Sequence, residues 1–242
     1  MTEEQYSEFV KFKESFKQKI KEWNQASPTL MQLQKDAAKQ AKTPEYSFET
    51  PIVYNRAFDE ITKDDEIKLI VLGDNPGKDE QLLKNNKYLV GQAGKLAEGF
   101  FRKNPELKID FRKNVLILNK TPIHSAKTAQ LKSIIKNGGK NVYSLFMDTQ
   151  TWMAEQTAYL SKIMNVPIWL VGYTELKPKG IFETYREVLK KNADWEKLFV
   201  FQHFSMNRFS IDLNNFMKEN PELSLPEALS LLSEIHKSEI FK

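Results

Sequence analysis

Ile67-Lys68-Leu69-Ile70-Val71-Leu72-Gly73-Asp74-Asn75-Pro76-Gly77 is the stretch on which the reading of this chain turns. Ile67 to Leu72 is a short, mostly apolar run, as a strand buried on both faces of a parallel sheet requires. The residues after it are turn chemistry: glycine bends tightly and admits close backbone approach, while Asp, Asn and Pro favour turns. In open α/β sheets ligands bind beyond the carboxyl ends of the strands, so this loop is a candidate site as well as a turn.

Working outward, three more apolar runs read as buried strands: Val115 to Leu118, Pro167 to Val171 and Leu198 to Phe201. Helical patterns separate them. Ala93, Leu96, Ala97, Phe100 and Phe101 form one apolar stripe, and Val142 to Met164 and Phe182 to Lys191 supply two more helices. Strand and helix alternate, which predicts a three-layer α/β/α fold around a central parallel sheet of about four strands.

Residues 1–50 read as a helical extension packed on this core, and residues 51–242 as the α/β domain itself. In the extension, Ser7 to Trp23 and Thr29 to Gln40 carry helical spacing, with Phe9, Phe12, Phe16 and Ile20 on one face. Lys11, Lys13, Lys17, Lys19 and Lys21 form either a solvated face or one that meets a phosphate backbone. Thr43-Pro44 and Thr50-Pro51 break the pattern. At the far end, Ser224-Leu225-Pro226-Glu227 is a capping box opening a last helix, with Leu229, Leu232, Ile235 and Ile240 expected inside.

Composition narrows the function classes. With 242 residues, 40% apolar and 12% aromatic, the chain can bury one sizeable core. It has no cysteine, which excludes disulfides, thiolate-held iron–sulfur clusters and cysteine zinc sites. With three histidines as well, neither a metal nor a cofactor is expected. The chain opens on acidic and polar residues and has no apolar run near the roughly 18 residues of a membrane span, so a cytoplasmic address and no membrane partner are expected. A net charge of +4 permits a polyanionic partner, and solvated lysines explain it equally well.

Polar residues gather after every strand. They are the Gly73 loop, then Asn119-Lys120-Thr121-Pro122-Ile123-His124, then Gly172-Tyr173, then Gln202-His203-Phe204-Ser205-Met206-Asn207-Arg208. Five of the nine glycines, Gly73, Gly77, Gly91, Gly94 and Gly99, follow the first strand closely. The spacing is neither that of a dinucleotide fingerprint nor that of a P-loop, which disfavours both nucleotide classes. His124 sits in the loop from Thr121 to Thr128, where Ser125, Lys127 and Thr128 either contact phosphate or belong to an ordinary surface loop. His236 on the last helix reads as structural.

Gly73-Asp74-Asn75-Pro76-Gly77, Leu89-Val90-Gly91-Gln92-Ala93-Gly94, Leu116-Ile117-Leu118-Asn119 and His203-Phe204-Ser205, in that order, resemble the uracil-DNA glycosylase superfamily over roughly residues 67 to 210. In that family the first loop is Gly-x-Asn-Pro-Gly in the mismatch-specific and single-strand-selective branches, and Gly-Glu-Ala-Pro-Gly in the iron–sulfur branches. The resemblance implies that Asn75 positions the attacking water, while Asp74 stands where the other branches carry a catalytic acid. The second segment resembles Pro-Phe-Val-Gly-x-Ala-Gly, whose aromatic stacks on the flipped base. Leu89 occupies that place, with Tyr88 just before it.

Asn119 matches the asparagine that reads the base edge, and His203 with Ser205 matches His-Pro-Ser, which stabilises the leaving group and heads the loop inserted into DNA. Phe204 replaces that proline. The implied base pocket is Gly73, Pro76, Gly77, Tyr88, Leu89 and Asn119, and the implied DNA contacts are Gly91, Lys127, Thr128, Ser205, Met206, Asn207 and Arg208.

The residue types suit the chemistry. Breaking an N-glycosidic bond builds positive charge on the sugar and negative charge on the base, which calls for a placed water and for donors at the base oxygen. An asparagine can donate to a carbonyl and accept from an imino N–H, which suits uracil. The expected function is therefore a monofunctional DNA N-glycosylase acting on uracil or a related damaged base. Two rivals stand beside it: a catalytically silent nucleic-acid binder of the same fold, suggested by Leu89 and Phe204, and a hydrolase of free nucleosides or nucleotides.

Overall fold

The computed structural model describes residues 1–241. The four apolar runs form β1 (Leu69–Gly73), β2 (Val115–Asn119), β3 (Ile168–Val171) and β4 (Leu198–Phe201). All pairings are parallel, in the spatial order β2-β1-β3-β4. Because successive strand side chains point to opposite faces, each run serves two cores. Ile70, Leu72, Leu116, Leu118, Ile168, Leu170 and Val200 enter one, and Leu69, Val71, Val115, Ile117, Trp169, Val171 and Phe201 enter the other.

Parallel strands need crossovers, and helices provide them. Seven helices flank the sheet among the described residues: α1 (Glu3–Ala26), α2 (Leu30–Gln40), α3 (Gln92–Lys103), α4 (Gln130–Met164), α5 (Glu183–Asn192), α6 (Arg208–Glu219) and α7 (Leu225–Ile240). Phe9, Phe12 and Phe16 of α1, Leu30 and Ala37 of α2, Phe146 of α4 and Leu189 of α5 close the first core. Phe100 and Phe101 of α3, Phe209 and Leu213 of α6, and Leu229 and Leu232 of α7 close the second. The result is the expected three-layer α/β/α arrangement, and no helix among the described residues is long and apolar enough to cross a membrane.

The N-terminal layer shares the first core. Phe12 and Phe16 stack on Trp152 of α4 at 5.9 and 5.2 Å, and Trp23 Nε1 donates to Asp148 Oδ2 at 2.6 Å. The α1 lysines are engaged with acids: Lys11 with Glu8, Lys13 and Lys17 with Asp59, and Lys19 with Glu22. Of the five lysines in the N-terminal run, Lys21 alone has no ion-pair partner among the described residues.

Three local readings need correction. Ile235 is 47% exposed, because the inward face of α7 runs through Leu229, Leu232, His236 and Ile240, and position 235 lies off that stripe. The helix expected from Val142 begins at Gln130, with a break at Gly139, where φ is 65° and the chain turns between two helical segments. α6 carries a stripe that the sequence reading passed over.

If α1 is part of the core, Phe12→Ala should lower unfolding free energy by about 3 to 5 kcal/mol, the usual cost of emptying a buried aromatic site. Urea denaturation of both proteins measures it, and a loss under 1 kcal/mol would show that the layer packs independently.

Candidate functional site: a cleft at the strand ends

The connection from β1 to β2 runs one way across the sheet, and that from β2 to β3 runs back past β1. Such a reversal leaves a crevice beyond the carboxyl ends of the two central strands. A cleft of about 560 Å³ lies there, bordered by Gly73, Asp74, Asn75, Gly77, Leu89, Gly91, Asn119, Lys127, Thr128, His203, Ser205 and Met206. Four loops that are far apart in sequence thus converge. Gln92 and Ser125, both in segments marked out from sequence, also border it, as do Lys78, Asp79 and Glu80, which were not singled out.

Beneath the cleft lies Lys120, which is 0% exposed. Its ammonium donates to Asp74 Oδ1 at 2.6 Å, to Val171 O at 3.1 Å and to Gly73 O at 3.3 Å. All three of its protons therefore have acceptors, as a buried charge needs. Burial pulls its pKa down, and Asp74 opposes that. The sequence signal was present but quiet: a lysine directly after Asn119, the last residue of β2.

Asp74 is fixed by this pair and by Thr128, whose hydroxyl lies 3.2 Å from Oδ2. The same hydroxyl lies 3.0 Å from Asn75 Oδ1. The amide of Asn75 is turned the other way, with Nδ2 donating to Ser125 Oγ at 2.9 Å and to Ser125 O and Pro76 O at 3.1 Å. Asn75 therefore ties two loops together, whereas Asp74 faces His203. Gly172, at φ 82°, marks how close these come: a methyl on it would lie 3.2 Å from Asp74 Oδ1 and 3.1 Å from His203 Cδ2.

Nδ1 of His203 lies 3.0 Å from the Ser205 backbone N–H and 2.7 Å from the Ser205 hydroxyl, and both contacts favour, in the neutral ring, a proton on Nε2. Burial lowers its pKa; Asp74 pulls the other way and Lys120 adds to the lowering. The cleft thus holds a neutral imidazole donor. Phe204 sits at φ −64°, the value proline would impose, and its ring is 1% exposed and stacked on Phe209 at 4.4 Å. Aromatic packing holds the turn that a proline would have held. Met206 follows at φ 55° and is 76% exposed on the cleft lip.

Asn119, at the end of β2, is 1% exposed, and its Nδ2 has no hydrogen-bond partner among the described residues. Its register partner is Gly73, and a methyl on Gly73 would collide with Asn119 Oδ1. Glycine is required there so that the amide fits beside β1. Leaving such a donor unsatisfied costs about 1 to 3 kcal/mol.

The remaining sequence candidates fall elsewhere. Tyr88 is turned away, buried in the second core, with its hydroxyl donating to Val53 O at 2.6 Å. Leu89, at φ 50°, borders the cleft in its place. Pro76 is buried behind the loop as an acceptor for Asn75, Ser125 and His124. Asn207 and Arg208 are exposed and lie outside the cleft lining.

The loop at His124 is not an ordinary surface loop: His124 is fully buried, with Nδ1 against Pro76 O at 2.9 Å and Nε2 against Tyr46 Oη at 3.0 Å. His236 packs against Val200 O and Asp212 on α6. Among the described residues no cluster of three His, Asp or Glu side chains is arranged to hold a metal ion.

Set against known proteins, the chain matches no family model, and no curated protein matches it significantly. What fold and site define is a parallel α/β domain whose cleft, at the strand-order reversal, combines a fixed carboxylate, a neutral histidine and an unpaired amide.

Two buried groups oppose each other in pH response. Burial pulls His124 down from 6.5 to about 4, so between those values the unfolded chain holds a proton the folded one lacks, and stability rises with pH. Burial pushes Glu80 up from 4.5 to about 7, so between those values the folded chain holds the extra proton, and stability falls as pH rises. The two windows overlap and largely offset. Glu80→Gln should unmask the histidine, losing on the order of 3 kcal/mol more than the parent as pH falls from 7 to 4.5. Urea titrations across this range check it, and parallel curves for the two proteins would refute the assignment.

Proposed function

We propose that this chain hydrolyses the N-glycosidic bond of uracil or a related damaged base in DNA, as the uracil-DNA glycosylases that its loops resemble do. The observation that carries the reading is the unpaired amide of Asn119 at the cleft floor. A partnerless donor that borders a cleft can be met by a ligand acceptor, and a base carbonyl beside an imino N–H suits both ends of an asparagine. A base out of its stack can reach such a floor.

The other groups then take roles. His203, neutral and donating through Nε2, meets the oxygen of the departing base as negative charge grows on it. The electron pair of the broken bond stays with the base, water oxygen bonds to the sugar carbon, and the water's proton passes to Asp74 or solvent. Asp74, held by Lys120 and facing His203, is the better placed of the two loop candidates to hold that water and to stabilise the cationic sugar. Asn75 serves by locking the loop to Ser125. Met206, long, apolar and exposed on the lip, suits the gap left in a DNA stack.

A second reading has a specific observation behind it. Leu89 gives the cleft an aliphatic wall where a base would meet an aromatic one, which favours a silent binder of damaged DNA.

Incubation with oligonucleotides carrying uracil, hypoxanthine, xanthine or a G·T mismatch, followed by detection of abasic sites, tests the proposal. Asp74→Asn and His203→Ala should each slow single-turnover excision by about 100-fold or more, as loss of a catalytic acid–base or oriented donor does. Asn75→Ala should cost less. Binding without excision on every lesion would leave the silent binder, and cleavage of free nucleosides alone would turn the assignment to that class.

A further inference from the structure

The chain between α2 and β1 carries two half-exposed aromatic rings, Tyr46 and Phe48, in a segment with no regular secondary structure. Their centroids are 4.3 Å apart, and both rings meet the buried His124 edge-on, at 5.7 and 5.9 Å. The backbone beneath is pinned by the buried Gln81, which donates to Ser47 O at 2.6 Å and accepts from the N–H groups of Glu49 and Thr50 at 2.7 and 3.1 Å. Two rings held at the surface by buried partners form a ready platform.

That platform borders a groove of about 500 Å³ with Lys35 and Lys39, one helical turn apart on α2; Glu45 is the one acid lining it. Lys78 joins groove to cleft: its Nζ lies 5.8 Å from the Tyr46 ring, and it borders the cleft itself. On the other flank of α2, Lys127 is shared between the cleft and a second groove of about 440 Å³, which Lys132 and Lys136 line with no acid. Among the described residues Lys35, Lys39, Lys78 and Lys127 have no ion-pair partner, unlike Lys11, Lys13, Lys17 and Lys19 of α1.

We propose that this groove binds single-stranded DNA, taking the strand that flanks the nucleotide in the cleft. Charge complementarity names a polyanion, and the rings narrow it: a base can stack on an aromatic platform only when unpaired, whereas a duplex presents phosphates alone. The phosphates lie against Lys35, Lys39 and Lys78, and a base lies on Tyr46 and Phe48 after displacing the Lys35 and Lys78 ammonium groups, now 6.0 Å from the Phe48 ring and 5.8 Å from the Tyr46 ring. The strand's continuation into the cleft rests on the proposed function; the groove's affinity for DNA does not.

Fluorescence anisotropy with an unmodified oligodeoxyadenylate, its duplex with oligothymidylate and the matching oligoriboadenylate separates the possibilities, because neither single strand carries uracil or a lesion and excision does not enter. The single DNA strand should bind tightest. Phe48→Ala and Phe48→Leu should each weaken it at least fivefold, and a melting curve of each shows that the fold is kept, with the leucine variant standing in if alanine lowers the midpoint. Lys35→Gln with Lys39→Gln should reduce the log–log salt slope by about 1.4, the single-strand value for two phosphate contacts. Unchanged affinity in these variants, equal binding of the duplex or tighter binding of the RNA would overturn the proposal. Groove binding without excision would instead refute the glycosylase reading and leave this one standing.

Discussion

One buried ammonium holds the working end of this fold together. Lys120 follows β2, bonds the last carbonyls of β1 and β3, and binds the carboxylate of Asp74. Three strand ends and the first loop therefore meet at a single atom. As a source of net stability a buried ion pair is weak, because desolvation consumes most of the Coulomb gain. Its effect is geometric and electrostatic. It fixes Asp74 in one orientation, and its charge helps to keep His203 neutral, so that the cleft holds one fixed anion and one uncharged donor.

The same logic extends outward. The cleft loops have little regular structure, yet buried polar side chains hold them from behind. Asn75 bridges to Ser125, Gln81 holds the 47–50 segment, and His124 joins Pro76 to Tyr46. Asn55 does this on the far side, donating to Ile117 O and accepting from Tyr88 N–H. Groups placed before the substrate arrives need no reorganisation during reaction, which is where electrostatic catalysis gets most of its effect. Some of the strained positions fit this pattern. Of the eight non-glycine residues with positive φ among the described residues, Leu89, Met206 and Asn207 lie at or beside the cleft, and the other five lie elsewhere.

Much of this was legible in the sequence for physical reasons that can be named. The four strands stood out because a strand covered on both faces must be apolar at every position, and the loops stood out because turn residues cluster after them. Side-chain direction was not legible. Tyr88 and Leu89 are adjacent, and only the left-handed backbone at Leu89 decides which one turns to the cleft. Asp74 and Asn75 both border the cleft, and their orientations depend on Lys120 and Ser125, which lie some fifty residues further along the chain. α6 was missed because it opens directly from the Ser205–Asn207 turn, with no capping side chain to announce it.

The two departures from the pattern that the loops resemble have different physical weight. Phe204 has the backbone angle that a proline would impose and anchors the turn after His203 in the second core. Leu89 is a chemical loss, since an aliphatic wall excludes water but offers no π-face to a base. On the glycosylase reading, recognition in the cleft then leans on Asn119 and His203, and hydrogen-bond selection in a buried site discriminates more sharply than stacking, which every base can satisfy. A cleft of this kind gives up general affinity for bases and keeps selectivity for one edge. On that reading affinity for the strand comes from outside the cleft, and the unpaired lysines and paired rings beside α2 are the groups we propose for it.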